Sequence, residues 1–260
     1  MAEGRLKTKC PFTFHLPPFT FSSYLRPMEV LYLAELLHAC KMKPTAVMPF
    51  NPGKDRLVEM NFTADNTSLH TTILEDTYLF SQYILSALNK AEARYGIGGY
   101  NEHRTIYARS GLFDSTIATG EPRRLHLGVD IWGPALTPVM APLPGKVHSW
   151  GIHNGRGNYG SVVILQHQLG DFEFYTLYGH LSTASTKNKY EGQPVATGEI
   201  IGELGLPAEN GDWPPHLHFQ VIQNMQGYKG DYPGVCRFSE REKWLLNCPD
   251  PAPLLKPLLL

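Results

Sequence analysis

Hydrophobic and polar positions change rhythm near residue 124. Upstream, Leu79, Tyr83, Ile84, Leu88 and Ala91 recur at helical spacing, which predicts an amphipathic helix over about 76–95. Asp76 is placed to cap its start, and Gly96 stands where a left-handed C-terminal residue belongs. The apolar stretch 30–40 is interrupted by Glu35 and His38, so it reads as an amphipathic core helix. Residues 11–27 are rich in Phe and Pro without periodicity and are expected to wrap the surface. Residues 100–113, which include Arg104 and Arg109, are expected to form a strand and a turn.

Downstream the pattern turns to β-structure. The runs "GKVHSW", "SVVILQH", "FEFYTLYGHL" and "LHFQVI" are rich in β-branched and aromatic residues and are separated by Gly, Pro or Asn clusters. "TPVMAPLPGKV" and "GQPVATGEIIGELG" read as short strands folded around tight turns. Nothing between 124 and 226 needs a long helix. Helix resumes at about 239–246 ("SEREKWLL"), and the tail "CPDPAPLLKPLLL" lacks periodicity, so it should pack on the domain or on a partner. The fold class expected is α+β, mainly β. An antiparallel β-sandwich/barrel-hybrid catalytic core at 121–226 follows an N-terminal α/β extension at 1–120. A short C-terminal helix and Pro-rich tail complete the chain at 227–260.

Composition narrows the function. In 260 residues, 42% are hydrophobic and 18% charged, as in an ordinary globular protein. The net charge of −1 offers no basic surface for nucleic acid, so no nucleic-acid partner is expected. No run is long enough to predict a transmembrane segment. The first 28 residues hold no apolar run after a basic start, so a cytoplasmic location is expected. Cys10, Cys40, Cys236 and Cys248 form no C-x-x-C pair, which argues against thiolate zinc binding; free thiols are expected, with two disulfides as the alternative.

The chemistry sits in the histidines. His126 and Asp130 lie four apart in a predicted strand, and His216 and His218 lie two apart in another. Strand side chains alternate faces, so each pair points one way while Leu127, Val129 and Leu217 point to the opposite, buried face. Two such strands side by side supply two imidazoles and a carboxylate, the donor set of a catalytic zinc with an open fourth position. His180 and one of His216 and His218 are then left to serve the zinc-activated water.

The blocks "HLGVD", "TPVMAPLPGKV", "NYGSVVILQH", "FYTLYGHLS", "GQPVATGEIIGELG" and "PPHLHFQV", in that order, resemble the lysostaphin/LytM-type zinc metallopeptidases. The resemblance covers about 124–222 and implies the duplicated-hybrid-motif fold of that family. It also implies Zn2+ on His126, Asp130 and His218, with His180 and His216 as the catalytic histidines. The implied activity is that of a zinc metalloendopeptidase (a metallopeptidase/amidohydrolase) cleaving a peptide or peptidoglycan-like amide bond. One departure is "AENGDWPPHLHF", where the family has a Gly/Ser/Thr-rich turn; Trp213-Pro214-Pro215 stiffens the approach to the cleft. That variant is similar to lysostaphin-type segments joined to aminotransferase domains in larger bacterial proteins.

Other readings stand beside this one. The alternative function is a non-catalytic peptide or glycan binding module that keeps the metallopeptidase fold. A lipoyl-type carrier would need a lysine at a hairpin tip, whereas Lys146 opens a predicted strand. Arg109 is a candidate for a substrate carboxylate or for a loop salt bridge, and Asp212 and Trp213 are candidates for the cleft rim. Tyr178 is expected to pack and His167 to be structural. His70, His103, His148 and His153 are expected to be solvated or satisfied away from the site.

Overall fold

The computed structural model describes residues 28–117 and 119–259, with side chains from Leu33 onward. Cys10 and the Phe/Pro-rich stretch 11–27 lie outside the described residues. The helices are α1 (Met28–Ala39), α2 (Thr71–Glu75), α3 (Thr77–Lys90), α4 (Arg241–Asn247) and α5 (Ala252–Leu259). Strands β1 (Leu57–Glu59) and β2 (Tyr95–Gly98) precede β3 (Arg123–His126), β4 (Val129–Trp132), β5 (Pro138–Met140) and β6 (Gly145–His153). There follow β7 (Gly160–Leu169), β8 (Phe172–Leu181), β9 (Pro194–Val195), β10 (Ile200–Glu203), β11 (His216–Ile222) and β12 (Val235–Arg237). No helix among the described residues is long and apolar enough to cross a membrane.

The mainly β, α+β expectation holds. Eight strands form one sheet in the order β1-β2-β4-β11-β8-β7-β6-β9, antiparallel except for the β1–β2 pair. The sheet stays open, so no barrel closes among the described residues. Period-two alternation sends the two faces of each strand to different cores. Val163 and Leu165 of β7 join Phe174 and Tyr178 of β8 in one core, together with Val129, Ile131, Leu217 and Phe219. Helices α1 and α5 cover that core through Leu33, Leu37, Leu254, Leu255 and Leu258. Val162, Ile164 and Leu177 face the other way, into a second core with Leu125, Leu127 and Tyr232. His216 and His218 therefore lie on the face of β11 opposite Leu217 and Phe219.

Four local expectations are corrected. Asp76 caps α3 through the Tyr78 and Leu79 N–H groups, but Gly96 does not end it. Glu92 takes the left-handed position at φ 49°, and the Ala93 N–H bonds to Leu88 O at 2.9 Å. Gly96 instead lies in β2, where a Cβ would stand 2.7 Å from Met60 Cγ. Residues 100–113 contain two 3-10 turns, Ile106–Arg109 and Gly111–Phe113, because Tyr107 and Phe113 pack on each other at 4.7 Å and turn into a third core. His126 and Asp130 do not share a strand: the chain breaks at Leu127 and Gly128, and Leu127 joins the core opposite to that of Val129. The tail residues from Ala252 are helical despite Pro257, because burial of three leucines outweighs poor propensity.

His167 in β7 is 1% exposed, with Nδ1 at 2.9 Å from Pro144 O, Nε2 at 2.7 Å from Thr176 Oγ1 and its ring stacked on Phe174. Burial pushes its pKa down to about 4. The unfolded chain takes up a proton near pH 6.5 while the folded chain does not, so this group's contribution is complete above about pH 6.5 and declines as pH falls toward 4, by about 3 kcal/mol. NMR titration should find the His167 ring neutral at pH 5; a midpoint near 6.5 would contradict the buried pairing.

Candidate metal centre and cleft

Register places the first two donors. β11 lies antiparallel to β4 with His218 opposite Asp130 and His216 opposite Trp132, so the His218 and Asp130 side chains stand together on one face. His126 reaches the same point from the end of β3. Residues 101–104 hold it there: the Asn101 N–H bonds to His126 O, the His126 N–H to Glu102 O, and the Arg104 N–H to Arg124 O. Gly128 permits the approach, since a Cβ there would lie 2.7 Å from His218 Cε1.

The three donor atoms converge. His126 Nε2 is 3.2 Å from Asp130 Oδ1 and 2.9 Å from His218 Nδ1, and His218 Nδ1 is 3.1 Å from Asp130 Oδ1. The opposite ring nitrogens fix the tautomers. His126 Nδ1–H donates to Gly99 O at 2.9 Å, and His218 Nε2–H donates to Gln220 Oε1 at 2.9 Å. Gln220 is itself oriented by its Nε2, which donates to Pro233 O and Cys248 Sγ. Two imidazole lone pairs and a carboxylate oxygen thus face one another. Burial, aided by the Arg104 charge, pushes His126 down to about 3, so at neutral pH it brings no proton to the 2.9 Å contact. A cation resolves such a contact, and tetrahedral bonds of about 2.1 Å separate donors by about 3.4 Å, within a few tenths of the spacings seen.

Charge at Asp130 is balanced from behind. The fully buried Arg104 donates Nη1 to Asp130 Oδ2 and Nε to Glu102 Oε2 at 2.5 Å. Burial alone would raise the Asp130 pKa; the Arg104 guanidinium overcomes it and holds the carboxyl well below its usual range. Oδ2 being taken by Arg104, Oδ1 is left toward the two imidazoles.

His180 and His216 stand beside this set. His180 adopts φ 61°, a left-handed conformation costing on the order of 1–3 kcal/mol, held by its N–H to Tyr159 O and the Gly205 N–H to its own carbonyl. Its Nδ1–H donates to Asn210 O at 2.8 Å, and His216 Nδ1–H donates to Pro214 O at 2.8 Å. Both Nε2 atoms remain as bases. The two rings lie 4.2 Å apart, and His216 Nε2 is 3.9 Å from Asp130 Oδ2. Burial lowers both pKa values, His216 to about 4, so each ring is neutral at pH 7. Trp132 stacks on His216 at 3.9 Å.

All five histidine and aspartate candidates are therefore brought together: Asp130, His180, His216 and His218 line a cavity of about 220 Å³, and His126 is fully buried beside them. Tyr107, Phe113, Arg123, Trp213 and residues 231–235 are among the others that line it.

Residues 124–229 match Peptidase family M23. This stretch is a peptidase M23 domain. A relative, the L-Ala–D-Glu endopeptidase of Bacillus subtilis (strain 168), is 28% identical over 152 residues, 54% of this chain and 44% of that protein. The chain thus spans less than half the length of that curated relative. Among solved structures, lysostaphin from Staphylococcus simulans is 30% identical over 50% of this chain and 44% of that one, with a TM-score of 0.33. A zinc-containing peptidase from Vibrio cholerae is 29% identical over 42% of this chain and 30% of that one, with a TM-score of 0.29. M23 peptidases use zinc, and the His126, Asp130 and His218 donor set of this M23 domain fits that ion in number, chemistry and spacing.

Other candidates fall outside the donor set. Arg109 is buried over Trp213 and Phe80, bonds to Thr77 Oγ1 and lies 3.7 Å from Asp212, so it braces the Trp213 loop. Tyr178 packs against Phe219. His148 and His153 bond to Ser149 and to Gly230 O, and His103 meets Phe238. Lys146 is paired within β6, not at a hairpin tip. Cys236 and Cys248 are free thiols. Sequence reasoning missed the parts played by Arg104, Glu102 and Gln220 and the cleft walls of the M23 domain. Only H-x-H-x-Q spacing pointed to Gln220, and nothing local to Arg104 set it apart from Arg109.

Replacing Arg104 with Met leaves the Asp130 carboxylate buried without its counter-charge, which should cost the metal-free protein about 3–5 kcal/mol by urea unfolding. A loss below about 1 kcal/mol would remove Arg104 from its assigned role.

Proposed function

We propose that the M23 domain hydrolyses an amide bond in a peptide of peptidoglycan type, with zinc on His126 Nε2, Asp130 Oδ1 and His218 Nδ1. The observation carrying this reading is the pinning of one nitrogen on each of four buried imidazoles, which turns every remaining lone pair inward. The M23 match and the name of the B. subtilis relative support the substrate class. When bound, zinc supplies Lewis acidity that makes water nucleophilic near neutral pH. The neutral Nε2 of His180 or His216 takes the proton that water loses. The same imidazolium then returns it to the amide nitrogen as the C–N bond breaks, so no net proton is gained or lost. Tyr159 lines the cleft, and burial holds its hydroxyl protonated, leaving it as a donor toward developing negative charge. Trp132, stacked on His216, keeps that ring from turning.

A non-catalytic module would need the donor set at most, and has no use for two further neutral imidazoles beside it. Wild-type protein should carry about one zinc per chain and cleave wall-derived peptides. Asp130→Ala and His218→Ala should lose both metal and turnover. His180→Ala should keep zinc while turnover drops by about 10²-fold or more. Full zinc occupancy in Asp130→Ala would remove it from the donor set, and unchanged turnover in His180→Ala would remove the proposed base.

A further inference from the structure

Two charges on the cleft wall are not used by the donor set. Arg123, at the start of β3, lies with its guanidinium 5.7 Å from the Phe113 ring centroid and donates Nη2 to Leu112 O at 2.5 Å. Asp231 also lines the cavity and accepts from the Tyr232 N–H at 2.8 Å. Neither forms an ion pair with a protein group among the described residues. Their neighbours do: Arg124 pairs with Asp114, and Arg156 and Arg109 with Asp212.

Register fixes where Arg123 stands, and the loop before β12 carries Asp231. β12 runs antiparallel to β3, with Val235 opposite His126 and Arg237 opposite Arg123. Arg123 therefore stands three residues, about 10 Å, to one side of His126. Asp231 lies before β12 begins, in the loop whose Gly234 packs on the Tyr159 hydroxyl. The cavity over the donor set therefore carries a cation from β3 and an anion from that loop. The remaining carboxylate facing the cavity, Asp130, is paired with Arg104.

We propose that the cleft selects a dipolar peptide, with a carboxylate at the Arg123 end and an ammonium group at the Asp231 end, the scissile amide lying between them. This rests on the amide-hydrolase reading above. Each end gains a charge-assisted hydrogen bond that a neutral isostere does not make, and a peptide of reversed polarity meets like charge at both ends. An acidic residue on one side of the bond and a free amine on the other define the substrate class.

The test uses the zinc-loaded full chain and stopped-flow tryptophan fluorescence, since Trp132 and Trp213 line the cleft. Four short peptides carry Glu or Gln at one end and Lys or norleucine at the other, each made in both orders. In one order the Glu/Lys peptide should bind at least about tenfold tighter than the Gln/norleucine peptide. Arg123→Gln should abolish the Glu preference alone, and Asp231→Asn the Lys preference alone. Equal binding of all four peptides in both orders, or a Glu preference that survives Arg123→Gln, would overturn the inference. Cleavage followed in parallel separates the two ideas. Charge-selective binding without cleavage sinks the hydrolase reading and keeps this one; cleavage without charge preference does the reverse.

Discussion

Four buried imidazoles each give up one nitrogen to an oxygen acceptor, and the site depends on that exchange. Gly99 O, Asn210 O and Pro214 O take Nδ1–H from His126, His180 and His216, and Gln220 Oε1 takes Nε2–H from His218. A neutral imidazole has one donor and one acceptor nitrogen, so a fixed donor side fixes which lone pair faces the cavity. His218 is turned the other way round from the rest, and its Nδ1 lone pair meets the His126 Nε2 lone pair beside Asp130. Gly99 and Asn210 lie 27 and 30 positions from the rings they hold, which ties the His126 and His180 tautomers to the completed fold, whereas Pro214 and Gln220 lie only two positions from theirs.

Burial makes the arrangement costly and at the same time useful. Desolvation keeps His126, His180 and His216 neutral, and the same low-polarity surroundings would drive Asp130 toward its protonated form without the Arg104 charge beside it. Arg104 reaches Asp130 from residues 101–104, which lie before the matched 124–229 stretch and also hydrogen-bond the His126 backbone. The M23 domain therefore takes part of its electrostatic support from the segment preceding it. β2 continues that dependence, pairing Gly98 with Asp130 and Gly96 with Trp132. Glycine is required along this contact: Cβ atoms at 96 and 98 would fall 2.7 Å from Met60 Cγ and 2.9 Å from Met60 O.

Where the sequence misled, a tertiary contact overrode a local signal. Gly96 looked like a helix stop, yet the Glu92 N–H and Ala93 N–H close α3 on Asn89 O and Leu88 O, and Gly96 is spent on sheet packing. Residues 100–113 looked extended, but Tyr107 and Phe113 gain more by burial against Trp213 and Trp132 than a strand would give them. The prolines of the tail hid α5, whose leucines seal the core over β11 and β4. Arg109, a candidate for a substrate carboxylate or a loop salt bridge, pairs with Asp212, whereas Arg104, five residues earlier and without a distinguishing neighbour, is the one behind Asp130.

By itself the sequence determined the β-rich core, the capped helix, and the five residues that gather around the donor set. Those signals are local: strand alternation assigns a face to His216 and His218, and block order and spacing carry the resemblance. Only the tertiary structure decided that β4 and β11 are neighbours in the register that sets His218 opposite Asp130. It alone decided which nitrogen of His126 and His180 points inward, that Arg104 balances Asp130, and that Arg123 and Asp231 line the same cavity. These depend on contacts between residues 26 to 92 positions apart and on the removal of water around them, and no short window of sequence encodes either.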